Sequence, residues 1–253
     1  MNNDFATTDN EISFARERLS AIRSRIATAL MGSQRKPEDV TIIAVSKGHP
    51  AEAIRQFYEL GLRDFGESYA QEFSRKADGL ADLKDLRWHF IGHLQSNKVK
   101  KIIHWKPIIH ALDRISLLDE LSRYANPADP LKVLLQLQVD PSDANKSGCA
   151  RREADELCQR ISNIPGLNLE GFMGIGPDID DHERLKWLYE GFSSNAHLLW
   201  EQYSLRDPSR RTRDPKISLG MSDDLEIALR CGSNLVRIGT ALFGPRTSKP
   251  QAT

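Results

Sequence analysis

Between residues 10 and 30, apolar side chains fall at Ile12, Ala15, Leu19, Ile22, Ile26 and Leu30, with charged residues between them. Steps of three and four place these positions on one stripe, the signature of an amphipathic helix. Such a stripe either packs on a core or pairs with another chain, and packing is the expectation. After residue 40 the pattern changes. Short apolar runs recur at 41–46, 62–66, 86–92, 108–112, 131–139, 167–175, 216–220 and 235–239. Helical spacing marks 50–60, 94–105, 151–162, 181–204 and 222–232 between them. Strand candidates that each lead into a helix, the last into a turn, predict parallel strands with helical crossovers. The runs number eight, which predicts a closed (β/α)8 TIM barrel. An open doubly wound sheet is the alternative, but no G-x-G-x-x-G opens the first helix. No repeat, low-complexity tract or linker divides the chain. Residues 1–253 are therefore expected to form one barrel domain with an extra N-terminal helix, and 246–253 a disordered tail.

The barrel reading gives Lys47 a special place. It follows the run Thr41–Ser46 directly, and chemistry in such barrels sits at the carboxyl ends of the strands. An amine in the barrel mouth is partly desolvated. Desolvation lowers its pKa and supplies the neutral form that makes a Schiff base. The plain alternative is a lysine leaving a strand end for solvent. The last two strands bear on the choice. "ISLGMS" (217–222) and "VRIGT" (236–240) both set Gly beside Ser or Thr, and the loops after strands 7 and 8 commonly build a phosphate site. The hydroxyls of Ser218 and Thr240 and the amides of Gly239 and Thr240 suit an oxyanion. Ser222 is expected to cap the next helix, with Asp223 and Asp224 in its first turn. A metal role for those aspartates is the less favoured reading. A phosphate cradle facing a Schiff-base lysine points to pyridoxal 5'-phosphate (PLP). Arg237 alternates onto the side of Leu235 and Gly239. Facing inward it would bond the pyridine nitrogen or pair with a buried carboxylate, and spacing leaves both open.

Composition narrows the partners. Lys and Arg number 35, as do Asp and Glu, so nothing signals the basic face of a nucleic-acid binder. Three cysteines are too few for a disulfide framework, which favours a reducing cytoplasm. The N-terminus lacks a signal-peptide pattern. No apolar run approaches the ~18–20 residues that span a bilayer, so no membrane partner is expected. His89 and His93 straddle a strand and a loop without a third ligand at zinc spacing, so no metal is expected. His89 is read as a pocket or core histidine. Lys98, Lys100 and Lys101, and the arginines of 205–216, are read as solvated surface.

Several stretches together carry a family resemblance. "AVSK" (44–47), "FGESYAQE" (65–72), "WHFIGHLQSNK" (88–98), "NKSG" (145–148) and "SLGMSDDLEIALRCGSNLVRIGTALFG" (218–244) resemble, in order, the YggS/PROSC family. These are the pyridoxal phosphate homeostasis proteins. The resemblance implies the N-terminal barrel of alanine racemase, a fold type III PLP protein, without the second, β-rich domain. It implies an internal aldimine on Lys47, Arg237 at the pyridine nitrogen, and Ser218, Gly239 and Thr240 on the phosphate with Ser222 nearby. One position departs: the family's Gly-Glu-Asn is Gly66-Glu67-Ser68 here. Serine is shorter than asparagine and reaches a cofactor only through water. The strand-6 end, "GFMGIGP" (171–177), differs as well. The implied function is PLP binding and supply to client enzymes, by a monomer or weak dimer, without substantial amino-acid turnover. A PLP-dependent racemase is the alternative. It needs an acid/base on each face of a carbanion, and the guanidinium of Arg237 is a poor proton donor to the ring. A Schiff-base aldolase is a third reading.

Overall fold

The computed structural model describes residues 9–142, 148–205 and 213–246. Eight parallel strands close into a barrel in chain order. They are β1 (Thr41–Val45), β2 (Asp64–Glu67), β3 (Arg87–Phe90), β4 (Ile108–Leu112), β5 (Leu131–Gln136), β6 (Leu167–Met173), β7 (Lys216–Ser218) and β8 (Leu235–Ile238). β8 pairs with β1, setting Ile43 beside Arg237 and Ala44 beside Ile238. β1 and β4 read as nearly continuous apolar runs because both faces of a barrel strand are buried. Ile43, Ile108, Leu134, Met173 and Leu235 fill the barrel's inside. Alternate residues such as Ala44, Phe65, Phe90, Val133 and Val236 join the larger core under the helices. The barrel is irregular at two places, the first in the β4–β5 register between Ile109 and Leu112. The β5–β6 register slips between Val133 and Leu134, opposite Gly171, where a Cβ would lie 2.0 Å from the Lys216 carbonyl oxygen.

The helices are α1 (Asp9–Ala29), α2 (Ala51–Glu59), α3 (Ala70–Gly79), α4 (Val99–Ile102), α5 (Ile115–Ser122), α6 (Arg151–Ser162), α7 (His182–Ser204), α8 (Leu225–Arg230) and α9 (Thr240–Phe243). α1 packs against α2, α8 and α9. Its stripe of Ala15, Leu19, Ile22, Ile26 and Leu30 is buried there, at about 1.5–3 kcal/mol per large side chain. Arg25 locks the contact with two bonds to Glu226, of 2.6 and 2.8 Å, and one to the Ser222 carbonyl. No helix among the described residues is long and apolar enough to cross a membrane.

Three local expectations need correction. The last strand leads into a short helix, α9, rather than a turn. The 94–105 stretch is not one helix. Two 3-10 turns, Ser96–Lys98 and Ile103–Trp105, flank the single turn of α4. Ser96, Asn97 and Lys98 give no apolar stripe to hold a longer helix between the buried Leu94 and the buried Val99, Ile102 and Ile103. Ser222 does not cap α8, which starts at Leu225 behind Asp224. Gly220, at φ +87°, turns the chain early. Asp224 then accepts from the Met221 N–H and the Tyr189 hydroxyl, closing a turn across 221–224. Residues 145–147 of "NKSG", 206–212 of the arginine loop and 247–253 of the tail lie outside the described residues.

Candidate functional site

β1 points Ile43 and Val45 into the barrel, where both touch the Cβ position of Gly66 on β2. Two residues further on, Lys47 continues toward the mouth while Ser46 turns outward. Lys47 is half-buried and makes no hydrogen bond or ion pair with a described residue. Its pKa is lowered, first by burial and then by Arg246 and Arg237, against the opposing charges of Glu67 and Glu72.

The residues on either side of Lys47 are tied down. The Ser46 hydroxyl donates to Glu67 Oε1 at 2.6 Å, and Lys76 Nζ donates to the same oxygen at 2.5 Å. Lys76 Nζ also donates to the Ser46 carbonyl at 2.6 Å and pairs with Glu72 at 2.8 Å. Glu72 Oε1 in turn accepts the Gly48 N–H at 2.7 Å. Thus all three ammonium protons of Lys76 have acceptors. α3 brings this about by carrying Phe73, Lys76 and Ala77 on its buried face. Burial pushes Glu67 up to about 7, against the pull of Lys76. Glu67 Oε2 is buried without a hydrogen-bond partner among the described residues.

On the other side of Lys47 from β2 lie the ends of β8, which pairs with β1, and of β7 beyond it. Arg237 is buried on the inner face of β8. It donates to the Ser218 carbonyl and hydroxyl, both at 2.8 Å, and to the Gly174 carbonyl at 2.9 Å. Burial lowers its pKa, with Tyr189 and Asp224 acting the other way, and a guanidinium stays charged. A buried cation is therefore held by neutral oxygens, with no carboxylate hydrogen-bonded to it among the described residues. Ser218 is fully buried beside it. Gly239 and Thr240 begin α9, whose first amides have no acceptor within the helix. A Cβ on Gly239 would meet Val45 only at 3.6 Å or more, and its φ is −106°. Neither packing nor φ demands glycine there. Ser222 is partly exposed, its carbonyl bonded to Arg25. The Ser68 hydroxyl, at the end of β2, has no partner among the described residues.

His89 stands apart from this group, deeper in the barrel. Its Nε2 lies 2.9 Å from Asp64 and its Nδ1 2.8 Å from His110 Nε2. Both ring nitrogens are thereby engaged. Burial lowers the pKa of each histidine. The neutral chain thus runs His110 Nε2–H to His89 Nδ1 and His89 Nε2–H to Asp64. Burial acts to raise Asp64, but bonds from Arg87 and His89 hold it at about 2. A cavity of about 480 Å³ opens at the opposite end, around the strand starts. Its Arg63 and Arg87 are already paired with Asp85 and Asp64.

Comparison with known proteins places this geometry. Residues 18–247 match the alanine racemase N-terminal domain family. The pyridoxal phosphate homeostasis protein of Pseudomonas aeruginosa is 40% identical over 232 residues, covering 91% of this chain and 95% of that one. The chain belongs to the pyridoxal phosphate homeostasis protein family. The Escherichia coli K12 protein of that name is 39% identical over 236 residues, covering 90% of this chain and 95% of its own. PipY of Synechococcus elongatus, solved with PLP bound, superposes with a TM-score of 0.76 at 34% identity, over 91% of this chain and 100% of that one. In this member of the pyridoxal phosphate homeostasis family, the fold brings Lys47, Arg237, Ser218, Gly239 and Thr240 to one end of the barrel. It keeps His89 below them and sets Ser222 at the rim. No motif or spacing marks Lys76, Glu72, Asp64 or His110 for a role. A lysine on the apolar stripe of α3 is the signal that points to the first.

Proposed function

We propose that this chain holds PLP through the amine of Lys47 in the cytoplasm and supplies it to client enzymes, without turning over amino acids itself. One observation carries the reading. Among the described residues, Lys47 is an unpaired, half-buried amine at the mouth of a barrel whose buried Arg237 has no bonded carboxylate. The cofactor supplies an aldehyde, with which a neutral primary amine condenses with loss of water. The residues present fit such a group. Burial, Arg246 and Arg237 enlarge the neutral fraction of Lys47. Two cations near the mouth suit an anionic ligand. The Ser218 hydroxyl accepts from Arg237, which leaves its own proton to donate. The Thr240 hydroxyl and the first amides of α9 add donors for a phosphate. Gly239 leaves room that its own contacts do not require. Arg237 keeps its proton near neutral pH, so it supplies positive charge without acting as an acid. Removal of an α-proton needs both a base and an electron sink, and an arginine that retains its proton furnishes a weak sink.

Absorbance titration with PLP and with pyridoxal tests the reading. PLP is expected to bind the more tightly, by about 1.5–3 kcal/mol per charge-assisted phosphate bond. Gly239→Val should narrow that preference, and Lys47→Ala should abolish the bound-cofactor spectrum. With L- or D-alanine in heavy water, α-proton exchange is expected to be no faster than with free PLP. Rapid exchange that needs Lys47 and accumulates the opposite enantiomer would make the chain a racemase instead.

A further inference from the structure

We propose that Glu67, Lys76 and Glu72 are positioning residues for Lys47, a buried chain that clamps the backbone on both sides of it and fixes the turn from which its amine enters the barrel mouth. The proposal rests on Lys47 being the cofactor lysine. Its warrant is geometric. Lys76 reaches Ser46 directly through the carbonyl and indirectly through Glu67. It reaches Gly48 through Glu72. The residues before and after Lys47 are thus held by one ammonium group, while Lys47 itself has no bond among the described residues. Three elements, β1, β2 and α3, meet at that nitrogen.

The arrangement is poorly explained as a device for stability. Lys76 and Glu67 are 1% and 0% exposed, and theirs is the only pair among the described residues with both partners so buried. Desolvation of two such charges commonly offsets their attraction, and apolar residues of similar volume do as well or better. Glu67 Oε2 is besides left without a hydrogen-bond partner among the described residues, which adds a further penalty. What the chain provides is a fixed geometry at one turn. Misplacing a reacting group by about 1 Å lowers its reactivity by up to ~100-fold. The charges facing Lys47 are Glu67 and Glu72 on this side and Arg237 and Arg246 on the other.

The test compares PLP with pyridoxamine 5'-phosphate in wild type, Glu67→Gln and Glu72→Gln. The amine vitamer shares the ring and phosphate but has no aldehyde to bond Lys47. Affinity for PLP is expected to fall about tenfold or more, while affinity for the amine vitamer stays within about twofold. In the cofactor-free protein, the Gly48 amide should exchange its hydrogen about tenfold faster in Glu72→Gln. Glu72 is partly exposed and its replacement leaves the Lys76–Glu67 pair intact, so this variant serves if Glu67→Gln fails to fold. Equal losses for both vitamers, or no change in either, overturn the proposal. A Lys47→Ala protein that still prefers the aldehyde vitamer overturns the underlying reading instead.

Discussion

At the scale of single residues, Glu67 carries its own pH signature. Burial pushes its carboxyl up to about 7, above the ordinary value of 4.5. Between those values the folded chain holds a proton that the unfolded chain has lost, so this group's contribution to stability falls as pH rises from about 4.5 to 7. His89 and His110 act oppositely. Their pKa values are lowered by burial, so stability is lost as pH falls through the unfolded value near ~6.5. Comparing wild type with Glu67→Gln cancels the histidines. Urea unfolding at pH 5 and pH 8 should show the wild type's stability relative to the variant falling with pH, by on the order of 1–3 kcal/mol. A pH-independent difference contradicts the buried-acid assignment. The residue scale also shows what a sequence reveals. The place of Lys47 just past a barrel strand is legible because an apolar run precedes it. Glu67 and Glu72 lay inside a recognised motif, yet their role depends on Lys76, which only the folding of α3 onto β1 and β2 brings to them. Asp64 and His110 belong to different strands, and their link through His89 is set by barrel register.

At the scale of elements, the eight apolar runs each became a strand and helical spacing located α1, α2, α6 and α7 within a residue or so. Burial imposes those patterns, so they persist in the sequence. Failures came where turn chemistry competes with helix propensity. Around Ser222 a positive-φ glycine and a doubly bonded Asp224 delay α8, and nothing in "GMSDDLEIAL" fixes which acidic or hydroxyl side chain does the capping. The β5–β6 slip was equally hidden, because a bulge shifts register without altering composition. Its glycine gives a test. In Gly171→Ala the new methyl would meet the Lys216 backbone at 2.0–2.5 Å, an overpacking expected to destabilise by about 1–3 kcal/mol or more. Gly191→Ala, in α7 with nothing within 4 Å of the added Cβ, should instead stabilise by up to ~1 kcal/mol. Equal denaturation midpoints for both variants contradict the packing described for β6 and β7.

At the scale of the whole molecule, the closed barrel gathers one face of chemistry from segments far apart in sequence. β1 supplies Lys47 and β8 supplies Arg237, and they are neighbours because the barrel closes. The clamp on Lys47 adds β2 and α3, and α1 braces α8 at the rim through Arg25. Lys47 as the point of attachment is the feature on which the proposed function depends. The direct measurement is borohydride reduction of the PLP-loaded protein, which fixes the bond between the aldehyde carbon and the amine nitrogen, followed by peptide mapping. The pyridoxyl mass is expected on the peptide containing Lys47, and absent when Lys47 is replaced by alanine. A label confined to another lysine, or undiminished in Lys47→Ala, would contradict it.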